Sequence, residues 1–294
     1  TQLNLNTDTI GDIHIPNPPE REIGLIVRYL DRQTQALDGL IADKRRLIEL
    51  YQEERAALIN QAVTRGLDPE VPVKDSGIEW LGEIPVHWEV KRLKYLTSHI
   101  VGGGTPATGY PIFWNGEIPW ISPKDMKFNR ITSSQDYITE EAVRESAVKW
   151  VPVGSVLIVV RSGILKHSFP VAINDVAVTL NQDMKAFSPS SKLLPEYLWF
   201  LLKGLSDEIL TFCSKIGATV DSIEMELLVN FLIALPSIEE QRAIVQSLNA
   251  QTSQLDTQIA DTEREIGLLQ EYRRALISEV VTGKVDVQEK AVEA

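Results

Sequence analysis

The side chains that most often carry catalysis are few in this sequence and lie far apart. The histidines (His14, His87, His99 and His167) follow no metal-ligand spacing and no repeated pairing with carboxylates. Cys213, the single cysteine, lies in an apolar segment, which is typical of a core residue. No nucleophile elbow and no pair of catalytic carboxylates stands out. The sequence therefore indicates a protein with no catalytic residues and no metal site of its own.

Hydrogen-bond donors are concentrated instead in three stretches that we predict to be loops. Residues 102–110 are rich in glycine and hydroxyls, so they either allow close approach of a phosphate or simply join two strands. No Gly-Lys-Ser/Thr follows, which excludes a nucleotide-binding P-loop. Residues 122–130 interleave basic and polar residues, and residues 161–168 follow the apolar run 156–160. Donors on such loops suit contacts to phosphates and base edges of a nucleic acid.

Arg161 is the first candidate for a base or phosphate contact, because it directly follows a predicted strand and strand-end loops commonly carry function. The lysines and the other arginine of these stretches are expected to contact phosphates rather than bases, since phosphate contacts outnumber base contacts. Any one of them is also compatible with ordinary solvated surface. The candidate nucleic-acid-binding residues are Thr105, Thr108, Tyr110, Lys124, Lys127, Arg130, Arg161, Ser162, Lys166 and His167.

Two long stretches of the chain are copies of each other. Shifting residues 18–64 forward by 218 positions places them on residues 236–282 without a gap, with about half of the positions identical. Each copy has seam residues at alternating steps of three and four, which is typical of a coiled-coil helix. At about 1.5 Å per residue, each helix would span roughly 65–70 Å. The seam residues include Val27, Leu30, Thr34, Leu37, Ile41, Ile48 and Leu58 in the first copy, and Val245, Leu248, Thr252, Leu255, Ile259, Ile266 and Leu276 in the second.

Polar residues occupy matching places in the two seams, namely Thr34 and Thr252, Lys44 and Thr262, and Arg55 and Arg273. A buried polar seam residue lowers stability but fixes the register or the number of partners. The match suggests that the two helices pair with each other, most simply antiparallel, because a parallel pair would require the intervening chain to cross the full helix length. The alternative is two unrelated amphipathic helices, each packed on a globular core.

The bulk composition is that of a globular protein with room for one or two domains. The chain has 294 residues, 44% of them hydrophobic and 24% charged. One cysteine, no apolar run of membrane-spanning length and no signal peptide predict a cytoplasmic protein without a membrane partner. The net charge of −12 argues against nucleic-acid binding by simple attraction. Between Asp75 and Leu235, however, 14 basic residues stand against 18 acidic ones, a net charge of −4 that permits a local basic face.

The order of these segments predicts an α+β fold, with one mixed α/β domain between two long heptad helices that pair as an antiparallel coiled coil. Thr1 falls on Thr219 in the duplication, so the first residues are expected to be the tail of a preceding domain. The predicted division is a tail at 1–17, helix 18–66, linker 67–76, mixed domain 77–235, helix 236–284 and a frayed tail at 285–294. Within the mixed domain we predict strands at 156–160, 171–180 and 229–235, and a helix at 195–213.

Three parts of the sequence resemble the specificity (S) subunit of type I restriction–modification systems. They are residues 74–88 (KDSGIEWLGEIPVHW), residues 103–106 and 114–120 (GGTP and WNGEIPW), and residues 235–241 (LPSIEEQ). The resemblance covers nearly the whole chain. The usual chain of that family alternates two target-recognition domains with two conserved helices, whereas this one has a helix, one domain and a helix. It is therefore expected to be a trimmed chain, or a half-subunit that dimerises to rebuild a bipartite reader.

The resemblance implies a non-catalytic function. The mixed domain would be a target-recognition domain that reads one half of a bipartite site in double-stranded DNA, while the helices set the half-site spacing and dock methyltransferase (M) subunits. S-adenosylmethionine would bind those M subunits, so no cofactor is expected in this chain, and a restriction (R) subunit would join through the complex. The alternative is a coiled-coil interaction scaffold whose mixed domain binds another protein. The net acidity favours that alternative, and the glycine–proline–tryptophan stretches disfavour it.

Overall fold

The computed structural model describes residues 15–215, 217 and 219–287. The helices are α1 Glu20–Arg65, α2 Glu140–Glu145, α3 Pro195–Gly204, α4 Ser206–Cys213, α5 Met225–Asn230 and α6 Ile238–Val281. The strands are β1 Val73–Asp75, β2 Glu83–Pro85, β3 Glu89–Arg92, β4 Thr97–Gly102, β5 Trp114–Ile121, β6 Arg130–Ile131, β7 Asp136–Ile138, β8 Trp150–Val151, β9 Val156–Val159, β10 Val171–Asn174, β11 Val178–Leu180, β12 Met184–Pro189 and β13 Leu232–Leu235. The predicted α+β class, with long helices before and after a mixed domain, is confirmed. Most of the two predicted tails, at 1–14 and 288–294, lies outside the described residues.

The described chain forms two compact units, whose boundaries fall inside the two long helices. The smaller contains residues up to Glu53 and from Ser253 onward, and the larger runs from Glu54 to Thr252. The larger unit therefore extends beyond the predicted limits of 77–235. The reason is that the end of α1 and the start of α6 supply part of its apolar core, through Ile59, Ala62, Val63, Ile244 and Leu248.

In the smaller unit, α1 and α6 pack side by side in opposite directions. Arg273 donates a hydrogen bond to Asp38 (3.1 Å), and Lys44 forms a salt bridge with Glu265. Residue numbers therefore rise along one helix as they fall along the other. Their apolar cluster consists of Leu276, Val280 and Val287, which are buried, and Leu25, Ile26, Tyr29, Leu30, Leu37 and Val285, which are half-buried. These contacts give the antiparallel direction that the duplicated seam predicts.

Val27 departs from the predicted seam, because 49% of it is exposed. Its neighbours Leu25 and Ile26 belong to the apolar cluster instead, together with Val285 and Val287 from the chain beyond α6. The covered face of α1 at this end therefore packs in one cluster with Leu276 and Val280 of α6 and with the segment after α6. The other predicted seam residues are buried or half-buried.

The threonines of the seam do not fix the register in the way that their matching positions suggest. The hydroxyls of Thr34, Thr252 and Thr262 each donate to the carbonyl four residues earlier in their own helix, at 2.7 Å. Because these groups are satisfied locally, they need no partner across the pair. In the smaller unit the polar seam residues Lys44 and Arg273 make the bonds between the helices instead.

The mixed domain in the larger unit is built on two main sheets. Five strands lie in the order β4-β12-β9-β10-β6, and four lie in the order β7-β5-β11-β8. Smaller pairs, β1-β2 and β13-β3, stand beside them. One apolar core contains buried residues of strands β9 to β12 and of helix α3. A smaller apolar cluster contains residues of α2 and β5. The strand predicted at 156–160 is present as β9.

The strand predicted at 171–180 is two strands in different sheets. The buried side chain of Asn174 ends β10 by donating to the carbonyls of Pro152 (2.9 Å) and Val176 (2.8 Å) and accepting from Ser155 N (2.9 Å). The chain therefore turns at residues 175–177 before β11 begins. The helix predicted at 195–213 likewise breaks at Leu205, and β13 begins only at Leu232 because the residues before it form α5.

The mixed domain is closed at one end by contacts among three distant segments. Trp88 is fully buried, and its indole nitrogen donates to Glu240 Oε1 at the start of α6 (2.9 Å). Gly66 ends α1 with a φ of 81°, a conformation that favours glycine, and an added Cβ would lie 3.4 Å from Trp88. Gln241, also fully buried, donates to the carbonyls of Lys192 (3.0 Å) and Pro236 (3.1 Å).

The described residues contain no helix that could cross a membrane. They also contain no cluster of three or more His, Cys, Asp or Glu side chains suited to a metal ion. Cys213 is buried, and burial raises the pKa of its thiol to about 11, so the thiol stays protonated at neutral pH. These properties fit the core position predicted for it.

The close contact between α3 and the end of α1 leads to a stability prediction. A Cβ at Gly204 would lie 2.9 Å from Val63 Cγ2 and 3.1 Å from Ile59 Cγ2. We expect Gly204→Ala to lower the free energy of unfolding by ~1–3 kcal/mol, because these branched side chains have little room to move. Urea unfolding measures the change.

Gly267→Ala is the matched control, since an added methyl group at this helical glycine meets no atom within 4 Å. It should leave stability unchanged or raise it by up to ~1 kcal/mol through better helix propensity. A Gly204→Ala protein as stable as the control would contradict close packing of Gly204 against Val63 and Ile59.

Candidate nucleic-acid interface

The three donor-bearing stretches leave the sheets at one common edge, which we call the strand-end edge. It consists of the carboxyl ends of β4, β5, β9 and β11 and the turn 181–183. Strands β5 and β11 are parallel, with Leu180 beside Ile121, so both end there. Strand β12 starts there, antiparallel to β4 and β9, with Lys185 beside Gly102 and Met184 beside Val159. Residues 102–110, 122–130 and 161–168, which are separate in sequence, thus begin side by side.

The turn 181–183 joins the starts of all three stretches. Gly104 N donates to the carbonyl of Leu180 (2.9 Å), and the side chains of Thr105 and Gln182 are hydrogen-bonded. Asn181 N donates to the carbonyl of Ile121 (2.9 Å), directly before the second stretch. The Asp183 carboxylate accepts from Arg161 Nε (2.7 Å) in the third. The turn therefore fixes the relative positions of the loops.

Two glycines of the first stretch, Gly103 and Gly104, are required by packing inside the domain. A Cβ at Gly103 would lie 1.7 Å from the carbonyl oxygen of Asn181, and one at Gly104 would lie 3.2 Å from the backbone of Ala147. Trp120 further secures the loop by donating from its indole nitrogen to the carbonyl of Gly104 (2.9 Å). The loop therefore connects two strands through a tight seat, and Gly103 and Gly104 are explained without a phosphate.

Beyond this seat, the first stretch presents its predicted contact residues to solvent. Thr105, Thr108 and Tyr110 are exposed, and the Tyr110 ring stacks on Phe113 with centroids 5.6 Å apart. The stack orients the ring at the start of β5 while leaving its hydroxyl accessible.

The second stretch begins with a rigid turn around Asp125. This buried carboxylate accepts from Ser122 N (2.9 Å), Ser122 Oγ (3.0 Å) and Gln135 N (2.8 Å). Lys124 is exposed and lies 3.6 Å from Asp136, and Lys127 is exposed without an ion pair recorded among the described residues. At the other end of the stretch, the carbonyl of Asn129 accepts from Ile173 N (3.0 Å). Both ends of the loop are therefore anchored.

Arg130 lies in this stretch but is engaged inside the domain. Its Nη2 is 2.6 Å and its Nε 3.1 Å from the carboxylate of Asp175, and its Nη1 is 3.5 Å from Glu196. Partial burial works against the charge, but the hydrogen bonds and charges of these carboxylates outweigh it and raise the pKa of Arg130. Arg130, whose side chain is 50% exposed, thus fastens β6 to β10 and α3.

The third stretch is clamped between the turn 181–183 and residues 221–223. Arg161 forms a backbone bridge with Ser222, and Ser162 N donates to the carbonyl of Asp221 (3.0 Å). A short helical turn, Gly163–Lys166, follows, capped by the Ser162 hydroxyl. Lys166 and His167 are exposed at its end.

Phe128 is a residue of this surface that the sequence-based selection of donors omitted. Its ring is 71% exposed between Lys127 and the anchored Asn129. Apolar side chains contact thymine methyl groups in the major groove and insert between base steps in other complexes. The sequence feature that could have identified Phe128 is its position as a lone aromatic residue within a basic, polar loop.

The family of the chain follows from comparison with known proteins. The family model described as type I restriction modification DNA specificity domain matches residues 85–265. The chain belongs to that family. The family resemblance of residues 74–88, 103–106, 114–120 and 235–241 is therefore confirmed. The family's description names specificity for DNA and no reaction, in agreement with the predicted non-catalytic class.

Individual relatives of this specificity-domain chain agree with the family. It is 37% identical over 274 residues to the type I restriction enzyme EcoR124I/EcoR124II specificity subunit of Escherichia coli, covering 90% of this chain and 62% of that one. Among solved structures, a chain from a type I R-M system studied for its complex assembly and conformational transition superposes with a TM-score of 0.73 and 19% identity, covering 92% of this chain and 62% of that one. The HsdS subunit from Thermoanaerobacter tengcongensis gives a TM-score of 0.55 at 18% identity, with 97% and 64% covered. The two structures support the fold, and the chain spans less than two thirds of each relative's length.

The seat of the first stretch leads to a prediction about its glycines. Gly103→Ala should lower the unfolding midpoint and make residues 102–110 a preferred site of limited proteolysis, because the methyl group would displace the backbone of Asn181. Thermal unfolding and mass spectrometry of the fragments measure both effects.

Gly109→Ala serves as the control in the same loop, since its Cβ would meet no atom within 4 Å. It should behave as the unsubstituted protein. Equal behaviour of the two variants would show that Gly103 does not hold the loop.

Proposed function

We propose that this chain is a DNA sequence-specificity subunit of a type I restriction–modification complex and has no catalytic role itself. Its mixed domain reads one half of a bipartite site in double-stranded DNA. The observation that carries the proposal is the convergence of three donor-bearing loops at the strand-end edge of a domain whose family is defined by DNA specificity. Rigid loops on a packed scaffold suit recognition, because few groups must be ordered on binding.

The candidate residues have separable roles at this edge. Lys124, Lys127, Lys166 and His167 are exposed at donor-bearing loops, so we assign them to phosphates of the DNA backbone. Thr105, Thr108, Tyr110 and Ser162 offer short polar groups for base edges or sugars. Arg130 supports the domain instead, because two carboxylates occupy its guanidinium.

The long helices are proposed to set the distance between the half-sites and to dock the M subunits. They contain 46 and 44 residues, and their antiparallel contact in the smaller unit supports a paired arrangement. We retain the division into helix 18–66, linker 67–76, recognition domain 77–235 and helix 236–284 as the functional one. S-adenosylmethionine and the methyl-transfer chemistry belong to the M subunits in this proposal, and the R subunit joins through them. The second half-site needs a second recognition domain, which another copy of the chain could supply.

Co-expression with type I M subunits tests the proposed function. Sequencing of methylated bases should show modification at one bipartite motif when the chain is present and none when it is left out. Methylation that is unchanged by leaving out the chain would refute the proposal. A protein-interaction scaffold, the alternative function, would leave the pattern of methylation without a sequence motif.

The assignment of Lys127 to a phosphate gives a second prediction. Lys127→Ala should weaken binding of cognate and random duplexes by the same factor. It should also reduce the slope of log affinity against log salt by about one, because one fewer counterion is released. Fluorescence anisotropy at several salt concentrations measures both quantities.

Lys192→Ala is the matched control for this experiment. Lys192 is exposed and follows β12, at the end of the domain away from the strand-end edge. It should change neither affinity nor slope. A loss confined to cognate DNA in Lys127→Ala would instead make Lys127 a base contact.

A further inference from the structure

We propose that Arg161 reads a guanine in the major groove through its two terminal nitrogens, and that Asp183 is the positioning residue that aims it. The proposal rests on the DNA-reading function proposed above and names the base that one of its residues recognises. Arginine is suited to this task because its planar guanidinium matches the O6 and N7 acceptors of guanine with two parallel hydrogen bonds.

The contact between the two side chains leaves the recognition end of the arginine available. Arg161 Nε donates to Asp183 Oδ1 at 2.7 Å, while the side chain of Arg161 is 56% exposed and that of Asp183 only 20%. Within the part of the chain that the structure describes, the recorded side-chain bond of Arg161 uses Nε alone. Because the guanidinium is planar, holding Nε sets the direction of Nη1 and Nη2, whose N–H groups form the pair that guanine accepts.

Both residues of the pair are held by their own backbones. The carbonyl of Asp183 accepts from Val160 N (2.8 Å) and Arg161 N (3.3 Å), and its amide donates to the side chain of Asn181 (3.0 Å). Arg161 is also bridged through its backbone to Ser222. The carboxylate is therefore presented to the guanidinium from a fixed position, so little side-chain freedom remains to be lost when DNA binds.

The charge balance favours a base over a phosphate as the partner. Asp183 offsets the charge of Arg161, which weakens the long-range attraction to phosphates that dominates non-specific binding. Its carboxylate would also repel a phosphate placed against the same guanidinium. Directional hydrogen bonds to neutral base acceptors remain available, and base contacts carry the sequence information.

Arg130, in the same domain, is an arginine whose terminal nitrogens are not available to a base. All three of its nitrogens lie within 3.5 Å of the carboxylates of Asp175 and Glu196. No terminal pair is left for a base. Arg161 differs because a single carboxylate holds it by Nε, so the geometry of the pair, and not merely the presence of an arginine, distinguishes the proposed reader.

The experiment uses the chain in complex with M subunits and measures binding to the cognate site and to the three alternative base pairs at each position. Arg161→Ala should reduce the preference at one G·C position by about 5- to 150-fold, which is what one bidentate contact contributes. The salt slope should stay unchanged. Arg161→Lys should lose the same preference although it keeps the charge, because lysine cannot form the fork.

Asp183→Asn separates positioning from contact. It should relax the preference at the same base pair and at the same time strengthen binding to random DNA, because a negative charge is removed from the interface. The double variant Arg161→Ala with Asp183→Asn should lose no further preference at that position, since the two residues act as one unit. Unfolding midpoints equal to that of the unsubstituted chain confirm that all variants are folded.

Three results would overturn this inference. Equal loss on cognate and random DNA in Arg161→Ala, with the salt slope reduced by about one, would make Arg161 a phosphate contact. Retained base preference in Arg161→Lys would exclude bidentate readout, and retained preference in Asp183→Asn would exclude the positioning role. Failure of the proposed function itself would appear differently, as an unsubstituted complex with no sequence motif.

Discussion

The hydrogen bond from the buried indole of Trp88 to the carboxylate of Glu240 is the constraint on which the mixed domain depends. It joins the entry of that domain to the first turn of α6. Gly66 stands against the same indole at the end of α1, so the three segments meet at one point. A hydrogen bond to a charged group contributes ~1.5–3 kcal/mol, and leaving either partner buried without the other would cost a comparable amount. Trp88, Glu240 and Gln241, which belong to the family motifs at 74–88 and 235–241, thus hold these segments of the fold together.

The two ends of the domain differ in burial and contacts, and one strand runs from one end to the other. Strand β12 runs from Met184, beside the turn 181–183, to Pro189, and residues just beyond it bond to Gln241 of α6. At the end near Gln241, the buried Gln241 side chain bonds to the backbone on both sides of it, and this end carries the connections to both helices. The opposite end has rigid loop seats but exposed tips. The exposed residues of these loops can therefore vary without disturbing the point where the helices are joined to the domain.

The sequence predicted the features that repeat or that depend on neighbouring residues. The duplicated seam predicted two long helices and their antiparallel direction, and polar stretches after apolar runs predicted the loops that the sheets bring together. The features it missed depend on residues far along the chain. Asn174 ends a strand by binding Pro152 and Ser155, and Arg130 is neutralised by Asp175 and Glu196. Local patterns contain no record of such partners. The prediction that Val27 lies in the seam was wrong, because its neighbours Leu25 and Ile26 join the cluster, to which residues 285 and 287 beyond α6 also belong.

The chain has a net charge of −12, which argues against attraction to DNA as a whole. This charge is nevertheless compatible with the proposed function. Affinity for any DNA comes chiefly from uncompensated cations near phosphates, whereas discrimination comes from directional bonds to base edges. Carboxylates pair with Arg130 elsewhere in the mixed domain and with Arg161 at the strand-end edge, and lysines are the less compensated cations. Such an arrangement lowers binding to random sequence more than binding to a matching site. Because a genome offers a vast excess of non-cognate sites, the ratio of the two affinities matters more than either one. Net acidity in a DNA reader is then a means of raising that ratio.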